Sequence, residues 1–374
     1  MSPLVSVITV TFNLIKNNRV DCFHRAATSV CQQTYPDIEH IIIDGASDDG
    51  TLDLFKPYEK TGKLTVFSEP DTGIYNAMNK GLERAKGKYI IFLNSDDYWH
   101  NPNGIAECVH LLELSQADFS ISPLIIKRAD GKIIGSCIPS PAAFLANMPI
   151  GHMTMLARTD LLKEAAGFDE SFKIAADYDL VTRLILRGAH PVYTPCNFAT
   201  FCEGGISTKK EFEQESRTER LLVIQKNFSP IIGSEKAEKL INGQTDIELI
   251  RTLSYLIHPS VAQQLPNIVA SFNSGRYLNA SGWEIRQNLH TSTTKITSIF
   301  NIPLLKIIST PDRSHYKLLG CLPLATISIC TDTVASYTRT FCICGIPVWS
   351  CKRSEQGYHI QLFKCITIFK KRIL

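Results

Sequence analysis

A mixed, mostly parallel α/β sheet is predicted for the first part of this chain, on three observations. Strand-like and helix-like patterns alternate through the first 100 residues. The strand-like segments are continuous β-branched apolar runs, as in strands covered by helices on both faces. Polar and acidic residues gather directly after each strand, at the edge where such sheets bind ligands.

The elements follow in order. Leu4–Val10 is a buried strand, and Asn18–Gln32 has helical spacing through Val20, Phe23, Ala27 and Val30. Ile38–Ile43 is a second apolar strand ending at Asp44. The pattern predicts a helix over Thr51–Lys60, a strand over Leu64–Ser68, a helix over Gly73–Lys86 and a strand over Tyr89–Leu93. Beyond Trp99 a helix is expected near Ile105–Leu114. Strands Phe119–Lys127 and Lys132–Cys137 follow, joined at the turn signal Asp130-Gly131. Asp177–Arg187 reads as a short helix and Thr208–Phe228 as a long charged one. Ser234 to about His290 is helical in pattern, punctuated by Pro259 and Gly275.

The tail repeats itself weakly. Ile299–Leu305 resembles Leu318–Leu324 and Cys342–Val348, with a degenerate copy at Leu362–Phe369. Its β-branched content and Pro kinks favour short hairpins. These shifts in pattern divide the chain into a sheet domain (1–228), a helical extension (229–294) and a basic β-rich tail (295–374).

Composition narrows the class. At 374 residues, 44% apolar and 20% charged, the chain is an ordinary globular protein of more than one domain, not a disordered or disulfide-framework one. None of the 12 cysteines is spaced Cys-x-x-Cys, so reduced thiols are expected. The longest apolar runs are too short to span a bilayer, and Met1–Val5 has no features of a signal peptide. A cytoplasmic protein is expected. From Lys295 onward there are eleven Lys/Arg and three Asp/Glu, a net charge of +8, against −5 for the preceding 294 residues. A basic tail on an acidic body suits an anionic membrane surface. Nucleic acid is not expected, because no basic run is interleaved with stacking aromatics.

The residues after the strands form a set: Thr11-Phe12-Asn13, Asp44 to Thr51, Glu69 to Gly73, and Asn94-Ser95-Asp96-Asp97. So many carboxylates at one sheet edge repel one another unless a cation lies between them. A hard divalent ion held by one or two carboxylates and by substrate phosphates answers that need. Asp48-Asp49-Gly50 reads more simply as a turn and helix cap.

Val5–Asn13, Ser29–Tyr35, Glu39–Thr51, Asp71–Gly87, Tyr89–Asp97 and Gly167–Leu184 resemble glycosyltransferase family 2, a likeness that covers roughly residues 1–228. Gly73-Ile74-Tyr75-Asn76-Ala77-Met78-Asn79-Lys80-Gly81 looks like the subgroup that builds bacterial surface polysaccharides. The resemblance implies the GT-A fold, a nucleotide-sugar donor, an Mn or Mg ion and inversion at the anomeric carbon. It implies a glycan acceptor on a polyprenyl diphosphate at the inner face of the membrane. It further implies that Thr11, Asn13, Asp44, Asp71 and Asn94 border the nucleotide, with Asp44 accepting a hydrogen bond from the base. Asp96 and Asp97 would hold the cation, Asp96 also facing the donor. Asp177 would take the acceptor's proton. His152 would lie near the acceptor, and Gly205 and Ser207 in a lid. An inactive sugar-nucleotide-binding module is the rival. A nucleotidyltransferase would need a Gly-rich loop with a Lys after the first strand, which Thr11-Phe12-Asn13-Leu14 does not offer.

Overall fold

A computed structural model describes residues 2–265 except 61, 63, 129, 138, 140, 146–147, 149, 206 and 243–246, together with the strands of a C-terminal unit between 293 and 372. The chain divides into two compact units, Met1–Gly282 and Trp283–Leu374.

In the first unit the apolar runs become the middle of a seven-stranded sheet. Its strands are β1 (Val5–Thr11), β2 (Ile38–Asp44), β3 (Thr65–Ser68) and β4 (Tyr89–Phe92). After the short β5 (Tyr98–Trp99) come β6 (Phe119–Ile121), β7 (Leu124–Lys127), β8 (Ile133–Cys137), β9 (Ala157–Arg158), β10 (Pro191–Tyr193) and β11 (Ala199–Cys202). The main sheet runs β10-β6-β9-β4-β1-β2-β3 and the second β5-β11-β7-β8. β9 lies antiparallel to β4 and β6, while the other pairs in the main sheet are parallel. The sheet is therefore mixed and mostly parallel, as expected.

Helices cover the sheet as their spacing predicts. α1 (Val20–Cys31) buries Phe23, Ala26, Ala27 and Val30. Phe23 and Ala27 join Leu14, Ile42, Phe55 and Leu64 in one cluster under α1. The helix expected over 51–60 is a 3-10 turn, Thr51–Leu54, and then a short α2 (Lys56–Glu59). Pro57 falls in the first turn of α2, where its missing N–H is tolerated; inside one continuous helix over 51–60 that N–H would be lost from the ladder. α3 (Ile74–Arg84) lies so close on β1 that a Cβ at Gly81 would run into Ile8.

α4 (Gly104–Ser115) leads to the stretch predicted as one strand over 119–127, which is two. Pro123 supplies no ladder N–H, so β6 ends there in the main sheet and β7 begins in the second. β7 and β8 form the expected hairpin, with Gly131 at φ 86°. α5 (Thr159–Glu164), α6 (Ala176–Leu186) and α7 (Glu213–Ile232) follow. The long charged helix thus starts five residues later than its pattern suggests, behind a 3-10 turn at Lys210–Phe212. α8 (Ser234–Ile241), α9 (Ile247–Leu256) and α10 (Pro259–Ala262) carry the helical pattern onward. The remainder of that stretch, 266–292 with Gly275, lies outside the described residues.

In the second unit the weak repeat is a series of hairpins. Strands Thr293–Ile299, Ile302–Ser309, Arg313–Leu318 and Leu322–Ser328 form one antiparallel sheet. Tyr337–Ile343, Ile346–Ser354, Gly357–Leu362 and Ile366–Arg372 form another. Each strand of the second sheet starts 44 residues after its counterpart: 293 and 337, 302 and 346, 313 and 357, 322 and 366. The register shifts beside Pro303, Pro323, Pro347 and Thr367, the same place in all four hairpins. A proline leaves a gap in the ladder, and a bulge accommodates it. The hairpin tips lie outside the described residues.

Candidate functional site

The strand ends converge on an open cavity of about 810 Å³, lined among others by Thr11, Asp71, Asn94, Asp96, Asp97 and His152. Gly205 and Ser207 also line it, from the loop that precedes α7. Of the eleven residues expected to form the site or its lid, eight line this cavity, Asp177 lines a small recess that shares His152 with it, and Asn13 and Asp44 line neither.

Asp44, at the end of β2, is fully buried. Its Oδ1 accepts from the Thr11 and Ser47 hydroxyls, and its Oδ2 from the Ser47 N–H and the Ser68 hydroxyl, at 2.6 to 3.1 Å. A carboxylate has about four acceptor sites, and the four bonds to protein match that number. Asp44 thereby ties the ends of β1, β2 and β3 together. Asn13, at φ 47°, accepts the Asp48 N–H and donates its own N–H to Ser47, organising the same loop. Asp71 takes the cavity-facing place. Its carboxylate lies against Gly45, where any Cβ would collide with it. Asp49 accepts from the Lys16 and Thr51 N–H groups and the Thr51 hydroxyl, the turn role expected of it.

The β4 edge carries the adjacent acids. A tight turn, Asp97 N–H to Asn94 O at 3.1 Å, sends the two side chains apart. Asp96 reaches into the cavity and pairs with Arg19 at 2.5 Å. Asp97 is buried; its Oδ1 accepts the Cys202 N–H of β11 at 2.8 Å. Burial raises its carboxyl well above the usual range, and the neighbouring Asp96 charge adds to the rise. Two buried oxygens here, Asp97 Oδ2 and Asn94 Oδ1, have no hydrogen-bond partner. Such orphans ask for an occupant, and an all-oxygen donor set beside Asp96 fits a hard divalent cation. Among the described residues no three acidic, His or Cys side chains are grouped for a metal. The cation would complete its shell with substrate phosphate and water.

Asp177 sits in the first turn of α6 with His152 before it, the His152 Nδ1 3.8 Å from Asp177 Oδ2. Both also line a small apolar recess with Phe92, Met155 and Phe168, which His152 shares with the main cavity. Burial pushes the Asp177 carboxyl up to about 6, with Glu219 adding to the rise. Burial lowers His152 to about 4, against the pull of Asp96. The imidazole is therefore neutral at pH 7, and its Nε2 is buried with no partner. Asp179 is a structural charge: fully buried, it pairs with Arg183 at 2.8 Å and Lys226 at 2.9 Å.

Two residues that sequence reasoning missed complete the site. Glu219, buried on α7, accepts the N–H groups of Lys173, Ile174 and Ala175 at 2.8 to 2.9 Å. It fixes the loop that leads into Asp177. Arg19, just before α1, crosses to Asp96 and to the Gly204 carbonyl. Neither carries a local signal, because an Arg before a helix and a Glu within one are both commonplace. The loop before α7 is closed by Thr208, which accepts the Gly204 N–H and donates to the Gly205 carbonyl.

Residues 6–156 match the family model described as Glycosyl transferase family 2. The putative teichuronic acid biosynthesis glycosyltransferase TuaG of Bacillus subtilis is 35% identical over 191 residues, 49% of this chain and 72% of the relative. An uncharacterized glycosyltransferase of Mycobacterium tuberculosis is 32% identical over 214 residues, 56% of this chain and 79% of the relative. Among solved structures, S. aureus TarS 1-349 in complex with UDP-GlcNAc aligns with a TM-score of 0.49 at 16% identity, covering 79% of this chain and 95% of that one.

Proposed function

The chain belongs to glycosyltransferase family 2, and on that premise we propose an inverting, cation-dependent transfer of a hexose or N-acetylhexosamine from a UDP-sugar to a surface glycan carried on a polyprenyl diphosphate. One observation carries the reading: Asp96 and the partnerless oxygens of Asn94 and Asp97 share a cavity whose other wall is His152, with Asp177 behind it. A charge-binding edge then faces a proton-accepting edge across the space a donor would fill.

In this mechanism Asp71 and Thr11 border the nucleoside, and Asp96 and Asp97 would hold the cation. When bound, that ion neutralises the departing diphosphate. Asp177 accepts the proton of the acceptor hydroxyl as its oxygen bonds to the anomeric carbon and the sugar–phosphate bond breaks. Neutral His152 borders the acceptor and lends it a hydrogen-bonding nitrogen. Attack opposite the leaving group inverts the anomeric centre. Gly205 and Ser207 close over the phosphates.

The test is a thermal-shift screen of nucleotide sugars with Mn or Mg. A donor at 100 times its Kd should stabilise the chain by about 2.7 kcal/mol. No shift with any nucleotide sugar would leave only a module that has lost its donor site.

Among the described residues no helix is long and apolar enough to cross a membrane. Any membrane contact is assigned instead to the basic tail, at the cytoplasmic face. Half of its net charge, at ~1 kcal/mol per residue near an anionic surface, is worth roughly 4 kcal/mol, a ~1,000-fold partition gain. A chain truncated after His290 is expected to keep transfer to a soluble acceptor analogue and lose co-sedimentation with anionic vesicles. Equal sedimentation of the two chains, or no release at high salt, would rule out electrostatic docking.

A further inference from the structure

Arg19 ends the loop between β1 and α1, and its guanidinium spans two distant parts of the site. Its Nη1 donates to Asp96 Oδ2 at 2.5 Å and its Nη2 reaches the Gly204 carbonyl at 3.5 Å. Asp96 Oδ2 also lies 3.6 Å from where a Cβ on Gly205 would stand, so carboxylate, guanidinium and lid loop meet at one point. The Arg19 side chain is 34% exposed and lines the cavity.

Two lysines also line this space, in ion pairs more exposed than that of Arg19, and neither offers a planar fork. Lys173 pairs with Glu215 and Lys209 with Glu211. Arg25 lies over the Tyr98 ring and donates to the Asp96 carbonyl. Arg19 thus holds a charged fork in the cavity, on a single partly exposed carboxylate. A diphosphate carries more negative charge than that one carboxylate and can take its place on the guanidinium. A guanidinium matches phosphate oxygens two at a time.

We propose that Arg19 binds the diphosphate of the donor, and that Asp96 and the Gly204 carbonyl hold its guanidinium in place until the donor arrives. The proposal rests on the nucleotide-sugar reading of this cavity and names the group that recognises the phosphates. It gives Asp96 two roles in turn, since the carboxylate is released as the guanidinium moves to the phosphates. It also links donor arrival to the lid, because the Gly204 carbonyl loses its partner in the same exchange.

The experiment is calorimetric titration of the full chain with UDP and with uridine, in chelator and again in Mn. The wild-type chain is expected to bind UDP more tightly than uridine. Arg19→Met should weaken UDP by at least ~10-fold and leave uridine unchanged, as expected for loss of charge-assisted bonds to phosphate. Arg19→Lys keeps the charge without the fork and should weaken UDP by roughly threefold. UDP affinity within twofold of wild type in Arg19→Met overturns the proposal. So does an equal loss for UDP and uridine, which makes Arg19 a strut for the loop and leaves the donor reading standing. A wild-type chain that binds uridine as tightly as UDP overturns the diphosphate reading of the cavity itself, and the proposal with it.

Discussion

Asp96→Ala is expected to lower sugar transfer by at least ~100-fold, the scale of losing one preorganised electrostatic group at a charge-developing centre, while the fold survives. Asp96 projects into the cavity, and its side-chain partner is Arg19 at the surface of that space. Removing it deletes no buried hydrogen bond. The neighbouring acid behaves differently. Asp97 accepts the buried Cys202 N–H, so Asp97→Ala would orphan a backbone donor at a cost of about 1–3 kcal/mol. Asp97→Asn is the cleaner change, since its amide oxygen still accepts that N–H. It should lose transfer to a similar degree with a melting temperature near wild type. The measurement is kcat/KM at saturating Mn beside a thermal melt. Full activity in chelator, or in either variant, would remove both carboxylates from the chemistry.

What could be read in the sequence divides along physical lines. The strands were legible because Leu4–Val10, Ile38–Ile43 and Tyr89–Leu93 are rich in β-branched and other apolar residues, interrupted only by Ser6, Thr9, Glu39 and His40, as burial on both faces favours. Asp96 and Asp97 were legible because a strand end delivers whatever follows it to the ligand edge. The tying role of Asp44 was not legible: it follows a strand, but its partners Thr11, Ser47 and Ser68 come from three segments. Only their folded arrangement brings these groups to its carboxylate. Glu219 was invisible, since the three N–H groups it binds lie 44 to 46 residues away. Pro123 was overlooked as a strand breaker inside an apolar run, though its missing N–H is a local fact. The tail repeat pointed to hairpins because proline marks the register shift in three of its four copies, with Thr367 in the fourth.

Asp177→Asn separates chemistry from structure more sharply than any other change in the site. The amide keeps the size and still accepts the 2.7 Å bond from the Tyr178 N–H, but it takes no proton. Nucleotide-sugar binding is expected near wild type and transfer nearly abolished. The pH dependence gives a second, independent reading. Burial holds the folded carboxyl at about 6, above its unfolded value of 3.8. The folded state therefore binds the proton more tightly, and stability falls as pH rises from about 4 through 6. By linkage the ionised carboxylate costs up to about 3 kcal/mol at neutral pH, less the screening its partial exposure allows. Asn removes that cost, so the variant should be as stable as wild type at pH 8 or more so, while inactive. Wild-type transfer should fall as pH drops through about 6, where the base becomes protonated. Loss of stability together with activity would instead make Asp177 a helix-entry residue. A pH profile without that acid limb would place the base elsewhere.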